Sequence, residues 1–454
     1  KFIYSCIVLN YPLYIHIPYC LSKCDYCDFF SVPIGNLTEK NAVCGGSYSS
    51  YNREMYGEKK SVEAGLVPDE YITALCNEIS YRKKMYTVEK WSTIYIGGGT
   101  PSLLSPLQIK TIAECVLNDS AHSVEFTMEA NPADISLDFL QCLADCGVNR
   151  LSLGIQAFDD AALSCVNRRS TLRDVETSLE LVKSRWNGEF SADLISALPL
   201  QTEKSFVLGV KRLLDYKPNH ISLYSLTIEE KTPLFKRIDS NEIPYNYDDA
   251  DALWLLGKKM LEENGWRAYE ISNFYNEKNG RPCAHNMAYW KMKSYIGVGS
   301  GGTGSVYGKK SIRYTNIHDI AKYIDFWRDC QKREGDGREV KNAEKVNAQS
   351  ERREIEVDVN REILLPEALE VLKKSDEEME FFMMGLRLYE GVCLEDFESR
   401  FSKKIPRHYY NVMNLWKKHN RARYYKKHGK EWFCLSKKGI LFLNGFMKDI
   451  IGGA

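Results

Sequence analysis

The chain has no uninterrupted apolar run of the ~18 residues that a membrane-spanning helix needs. Its apolar opening, Phe2 to Leu9, stops at Asn10, Tyr11 and Pro12, and reads as a buried strand. Charge of one sign is missing too. The 61 Lys and Arg residues balance 61 Asp and Glu residues, which removes the footprint of a dedicated nucleic-acid binder. Cysteine is too sparse for a small secreted disulfide scaffold, with 14 in 454 residues, and no secretory signal is legible. Together these absences predict a cytoplasmic protein with no membrane span, in a reducing compartment, with about two or three domains of ordinary size. There is no internal repeat.

What is present first is an alternation. Short β-rich runs at Leu13 to Ile17, Thr93 to Ile96, Val124 to Met128, Arg150 to Leu153, Ser191 to Ile195 and His220 to Leu226 alternate with helical patterns. The helical patterns include Pro106 to Val116, Leu137 to Cys146, Thr171 to Lys183 and Glu203 to Leu214. Six such units predict an α/β fold, a partial (β/α)6 barrel of TIM type, whose ligands sit at the C-terminal ends of the strands. Residues 31 to 68 and 331 to 360 carry no stable period and read as exposed insertions. This divides the chain into a barrel over 1 to 330, a charged linker over 331 to 374, and a small C-terminal helical domain over 375 to 454. Ser375 with Glu378 forms a capping-box pattern at the start of that last domain. Its helices, a basic helix, the strand Glu431 to Leu435 and a final amphipathic helix over Lys438 to Ile451 resemble a winged helix. The basic run Lys417 to Lys427 leaves nucleic acid open as a partner of that domain.

The sharpest local signal is YIHIPYCLSKCDYCDF, in which Cys20, Cys24 and Cys27 follow the first barrel strand. Three thiolates at CxxxCxxC spacing on one loop select a soft metal centre, zinc or an iron–sulfur cluster. Structural zinc wants a fourth ligand, and Cys44 and His16 are the candidates. Buried, unmetallated cysteines fit poorly in a loop with Lys23, Asp25 and Asp28. Three cysteines on a four-iron cube leave one iron open, as a reactive centre needs.

Further along, Gly97-Gly98-Gly99-Thr100-Pro101 closes the second strand, where missing side chains let a ligand approach backbone groups. In isolation the same run is equally a tight strand-to-helix connection. Glu129 in EANP, Gln156 after RLSLGI and Asp193 after FSA place polar groups at successive strand ends. That recurrence argues for one shared pocket; the alternative is that one or two of these groups cap helices.

With the aromatic Tyr26 before its last cysteine, CxxxCxxC resembles the signature of the radical S-adenosylmethionine (SAM) superfamily. The wider set YIHIPYCxxxCxYCDF, GGGTPS, EANP, NRLSLGIQAFDD, ADLISALP, HISLYSLTIEE and YEISNF resembles its coproporphyrinogen III oxidase-like, oxygen-independent branch over residues 13 to 304. The resemblance implies a [4Fe-4S] cluster on Cys20, Cys24 and Cys27. It implies a SAM site lined by Tyr14, Tyr26, Gly98, Gly99, Thr100, Glu129, Gln156, Arg168 and Asp193. There Glu129 pairs with the cationic amino acid portion of SAM, Arg168 meets its carboxylate, and Asp193 its ribose hydroxyls. In the superfamily one electron, from a separate donor, cleaves SAM to a deoxyadenosyl radical.

Two departures choose within the branch. The dehydrogenases carry CxxxCxxCxC, and the position after Asp28 here is Phe29. They also carry an extension ahead of the cluster, whereas twelve residues precede Leu13 here. Both differences favour the heme-chaperone group, which binds heme and hands it to acceptor proteins, over a coproporphyrinogen dehydrogenase. His285-Asn286-Met287-Ala288-Tyr289-Trp290 matches the HNxxYW motif that the group associates with heme. His285 is then the expected iron ligand, with Tyr289 and Trp290 as a flat apolar wall and Cys283 as another soft ligand. The bland alternative is that His285 only caps a turn after Pro282. The tail FFMMGLRLYEGV also resembles the chaperone group, but Thr303 stands where its glycine run usually has a histidine.

Overall fold

The computed structural model describes residues 10–34, 66–117, 124–328 and 367–452. The opening run Phe2 to Leu9, Cys44 and the polar stretch 331 to 360 lie outside them. Six parallel strands run in sequence order through one sheet: β1 (Asn10–Ile17), β2 (Lys90–Gly98), β3 (Glu125–Ala130), β4 (Arg150–Gln156), β5 (Glu189–Ser196) and β6 (His220–Ser225). Ile296–Val298 adds parallel to β1, and the antiparallel pair Asn273–Asn276 and Trp266–Ala268 follows β6. This is the mixed α/β, partial (β/α)6 barrel expected, and no ladder among the described residues closes it.

The helices between the strands begin where the sequence supplies caps. Ser105 and Gln108, Thr171 and Asp174, and Thr202 and Ser205 form reciprocal capping boxes ahead of Pro106–Val116, Leu172–Arg185 and Glu203–Asp215. Each box satisfies amide groups that a helix start leaves without partners.

Period-two alternation sorts each strand into two faces. Ile94 and Ile96, Phe126 and Met128, Leu151 and Leu153, and Ile221 and Leu223 are buried in the apolar core that the sheet shares with the helices. The opposite parity is polar on every strand: Tyr14 and His16, Thr93 and Tyr95, Glu125 and Glu129, Arg150 and Ser152, Ser191 and Asp193, His220 and Ser222. The lumen is therefore polar, and the barrel is held from outside.

Beyond the barrel, Thr303–Val306, Ile312–Asn316 and Glu367–Val371 form an antiparallel sheet. The last of these strands falls in the stretch read from sequence as linker. A buried carboxylate ties this sheet to the helix Asp69–Met85. Glu78 accepts from Arg82 Nε (2.8 Å), Asn316 Nδ2 (2.7 Å), Gly299 N (2.8 Å) and Tyr323 Oη (2.6 Å).

The C-terminal unit runs Lys374–Gly385, Val392–Cys393, Leu394–Phe401, Arg407–Lys418, then the hairpin Ala422–Lys427 and Lys430–Leu435, then Leu443–Gly452. Its three strands pair with the hairpin's second strand central, the wing arrangement expected, around a separate core that includes Phe382, Phe397, Trp416, Phe433 and Phe446. The expected Ser375 cap is corrected. The helix starts at Lys374 behind Lys373, because Leu372 N is already bound to Ser311 O at 2.9 Å and the chain turns immediately. Ser375 lies inside the first turn, and Glu378 pairs with Lys403 at 2.7 Å.

Candidate functional site

A cavity of about 520 Å³ opens at the C-terminal ends of β1 to β6, within the size range of small-molecule sites. Cys20, Cys24 and Cys27 line it together with Tyr26, Gly98, Gly99, Thr100, Glu129, Gln156, Arg168 and Asp193. Two of the residues named from sequence do not line it. Tyr14 sits lower in the lumen, donating to His16 Nδ1 at 2.9 Å and stacked on Tyr95. His285 is described below.

The cysteine loop is fixed on several sides. Cys20 ends the short strand Tyr19–Cys20, which pairs with Val32–Pro33. His16 Nε2 donates to Phe30 O at 2.9 Å, Lys23 Nζ to Phe29 O at 2.9 Å, and Asp25 N to Val166 O at 3.0 Å. Arg237 Nη1 reaches Asp25 Oδ2 at 2.6 Å and Cys165 O at 2.7 Å, and Leu234 N donates to Asp25 O. Thr100 Oγ1 donates to Cys20 Sγ at 3.4 Å. Among the described residues no three His, Cys, Asp or Glu side chains converge tightly enough for a single ion.

The glycines have a reason that sequence alone did not show. A Cβ on Gly99 would lie 2.5 Å from Tyr19 O, and one on Gly98, at φ +116°, 2.7 Å from the His16 ring. They permit the glycine loop to cross the cysteine loop, stitched by Gly99 N to Ile17 O and Thr100 N to Tyr19 O, both 2.8 Å. Side chains at these positions would collide with protein before they met any ligand.

On the cavity floor, Glu129 accepts from Tyr95 Oη at 2.7 Å and from Gly98 N at 3.3 Å. Burial pushes its carboxyl up to about 7, against the Tyr95 bond that lowers it, with nearby Asp193 adding to the rise. Asp193 is also raised, mainly by burial, and accepts from Ser152 Oγ at 3.1 Å. Two buried carboxylates facing one cavity favour a cationic occupant. Gln156 takes a left-handed φ of +68° after an irregularity in the β4–β5 ladder, which turns the chain at the rim.

Other lining residues were missed. Arg169 binds Asp134 through both terminal nitrogens (2.8 and 2.6 Å), and Asp134 accepts from Ser102 Oγ at 2.6 Å. This network joins three strand-end loops. Tyr95 was also missed, although the parity of STIYIG points it inward with Thr93.

The HNxxYW segment forms the helix Ala284–Trp290 at the opposite end of the lumen. Glu125, at the start of β3, caps it by accepting from Ala284 N and His285 N, both at 2.9 Å. His285 is 1% exposed. Its Nδ1 is bonded to Thr93 Oγ1 at 2.7 Å and its Nε2 to Tyr289 Oη at 2.8 Å, and burial pushes its pKa down to about 3. Cys283 is likewise buried, against Glu125. Trp290 lies under Arg387, 4.4 Å from the ring centroid. As placed, both ring nitrogens are already hydrogen-bonded, and the expected wall residues Tyr289 and Trp290 are half-buried, with Arg387 over the Trp290 ring.

Residues 14–212 match the model of the radical SAM superfamily. The chain is 32% identical over 399 residues to the heme chaperone HemW of Lactococcus lactis, covering 87% of this chain and 86% of that one. It is 30% identical over 449 residues to the heme chaperone HemW of Buchnera aphidicola, covering 96% and 97%. Among solved structures, coproporphyrinogen III oxidase (HemN) from Escherichia coli shares the fold, with TM-score 0.68 and 18% identity over 97% of this chain and 90% of that one. The likeness along nearly the full length therefore assigns the chain to the radical SAM superfamily, and within it to the coproporphyrinogen III oxidase-like family that includes the HemW proteins.

Proposed function

We propose that the chain is a heme chaperone that carries a [4Fe-4S] cluster on Cys20, Cys24 and Cys27, holds SAM beside it, and delivers heme to acceptor proteins. The observation that carries this reading is the meeting of those three thiols with Glu129, Gln156, Arg168 and Asp193 on one cavity, in a chain matched nearly end to end by relatives named heme chaperones.

The residues present fit both cofactors. The donor set is soft and three-membered. The buried Arg168 Nε has no hydrogen-bond partner in the structure, and so is free to meet an acceptor such as a carboxylate. When bound, the cluster and SAM supply one-electron chemistry. The protein's part is placement. Ionised Glu129 offers its charge to an ammonium or sulfonium, Arg168 holds a carboxylate, and Asp193 accepts from hydroxyls while Ser152 fixes its orientation. Heme is cargo, and the closed His285 gives it no ligand in this conformation.

A second reading, oxidative decarboxylation of coproporphyrinogen, is favoured by the HemN fold across 97% of the chain. Phe29, in the place of the dehydrogenases' fourth cysteine, weighs against it. Anaerobic reconstitution with iron and sulfide, followed by heme titration and an assay with SAM, reductant and coproporphyrinogen, separates the two. Stoichiometric heme binding without conversion is expected. Conversion to protoporphyrinogen overturns the chaperone reading.

A further inference from the structure

The ring of Tyr95 stacks with two others. Tyr14 stacks with it at 6.2 Å between centroids and planes at 30°, and His285 more closely, at 5.0 Å and 26°. Tyr95 Oη then donates to Glu129 Oε1 at 2.7 Å. The other described donor to this carboxylate is Gly98 N at a long 3.3 Å. The direction of Glu129 thus depends on Tyr95, and Tyr95 keeps its pose through the imidazole beneath it.

His285 is itself held from every side. Thr93 and Tyr289 take its two nitrogens. Tyr289 packs edge-on against it at 4.9 Å and against Tyr295 at 4.6 Å. Glu125 fixes the start of its helix, and Arg150 lies close enough to disfavour an imidazolium. Turning this ring toward an iron would break two buried hydrogen bonds, leave Thr93 and Tyr289 unpaired, and uncover Tyr95.

We infer that His285 is a positioning residue of the SAM site: from the far end of the lumen it props Tyr95, which aims the Glu129 carboxylate into the cavity, and it is not an iron ligand. This rests on the reading that Glu129 faces the cationic part of SAM.

The test uses the full chain, reconstituted with its cluster, and measures SAM affinity and the heme Soret spectrum in His285→Ala, His285→Asn, Tyr95→Phe and the double variant His285→Ala/Tyr95→Phe. His285→Ala and Tyr95→Phe should each weaken SAM binding by about tenfold, with iron content and Soret band unchanged. The double variant should bind no more weakly than the worse single one, as for two links of one chain. His285→Asn, which can still bond Thr93, should recover part of the loss. Should His285→Ala fail to fold, Tyr95→Phe, which removes one oxygen, still reads the same link. Unchanged SAM affinity in His285→Ala and Tyr95→Phe overturns the inference, and so does a lost Soret band with SAM binding intact. Wild-type protein that does not bind SAM overturns the Glu129 reading, and the inference with it, before any variant is compared.

Discussion

Arg168 reaches Cys24: its Nη1 lies 3.6 Å from Cys24 Sγ while Nη2 is anchored on Gly154 O at 2.6 Å. A fixed guanidinium beside a cluster ligand favours the reduced, more negative state. Arg168→Gln should therefore lower the cluster's midpoint potential by on the order of tens of millivolts, read by redox titration followed by electron paramagnetic resonance. An unchanged potential at full iron content contradicts the assignment of Cys24 as a ligand next to Arg168.

Glu129 gives a pH dependence whose sign is fixed. Its carboxyl is raised to about 7, mainly by burial, so it is protonated on the acid side and offers a cation less. SAM affinity should rise with pH, by up to about tenfold per unit below pH 7, and level off above it. For stability the same shift runs the other way. The folded state holds a proton that the unfolded state has released between about 4.5 and 7, so this group's contribution declines as pH rises through that window. Glu129→Gln should flatten both profiles, checked by equilibrium dialysis of SAM and by urea melts across pH 5 to 8.

Arg237 pins the cysteine loop from the segment after β6, through Asp25 and Cys165 O. The pair is partly exposed, with side chains 30% and 14% accessible, so its loss should cost stability only about 1 kcal/mol. Its effect on the loop should be larger. Arg237→Ala should release iron to a chelator several-fold faster with a nearly unchanged melting temperature. Equal rates would mean that the contacts of His16, Lys23 and Asp25 N hold the loop unaided.

The Glu78 network predicts a much larger penalty. Glu78→Ala removes the acceptor for Arg82, Asn316, Gly299 and Tyr323 in one step and leaves a buried guanidinium without its carboxylate. The variant should be destabilised by about 3–5 kcal/mol, measured by urea unfolding. A change below about 1 kcal/mol would show that water or a side-chain shift replaces the carboxylate.

The barrel was legible in the sequence because its signals are local. Ser105 and Pro106 place one helix start to the residue, and Arg150 and His220 begin strands where the alternation starts. Cys20, Cys24, Cys27, Glu129 and Asp193 were legible because strand ends in this architecture face one side. His285 was not. Its motif names a good iron ligand, but its environment comes from Glu125, Thr93 and Tyr95, 160 or more residues earlier in the chain, and no spacing within HNxxYW reports them. Gly99 was read as room for a ligand because sequence does not reveal that a Cβ there would lie 2.5 Å from Tyr19 O. The Ser375 cap failed for a related reason: a neighbouring strand, held by Ser311, decides where the helix begins.

The apolar parity of every barrel strand faces the helices, and the polar parity faces the lumen. The apolar half of the pattern carries the burial that drives folding, so the residues that hold the barrel walls are largely different from those that would hold a ligand. Exchanges among Ser152, Ser191 and Ser222 can remodel what the lumen accepts while Leu151, Leu153, Ile221 and Leu223 go on holding the walls. Such a scaffold can change its chemistry by drift in one half of its alternating pattern, with the other half conserving the architecture.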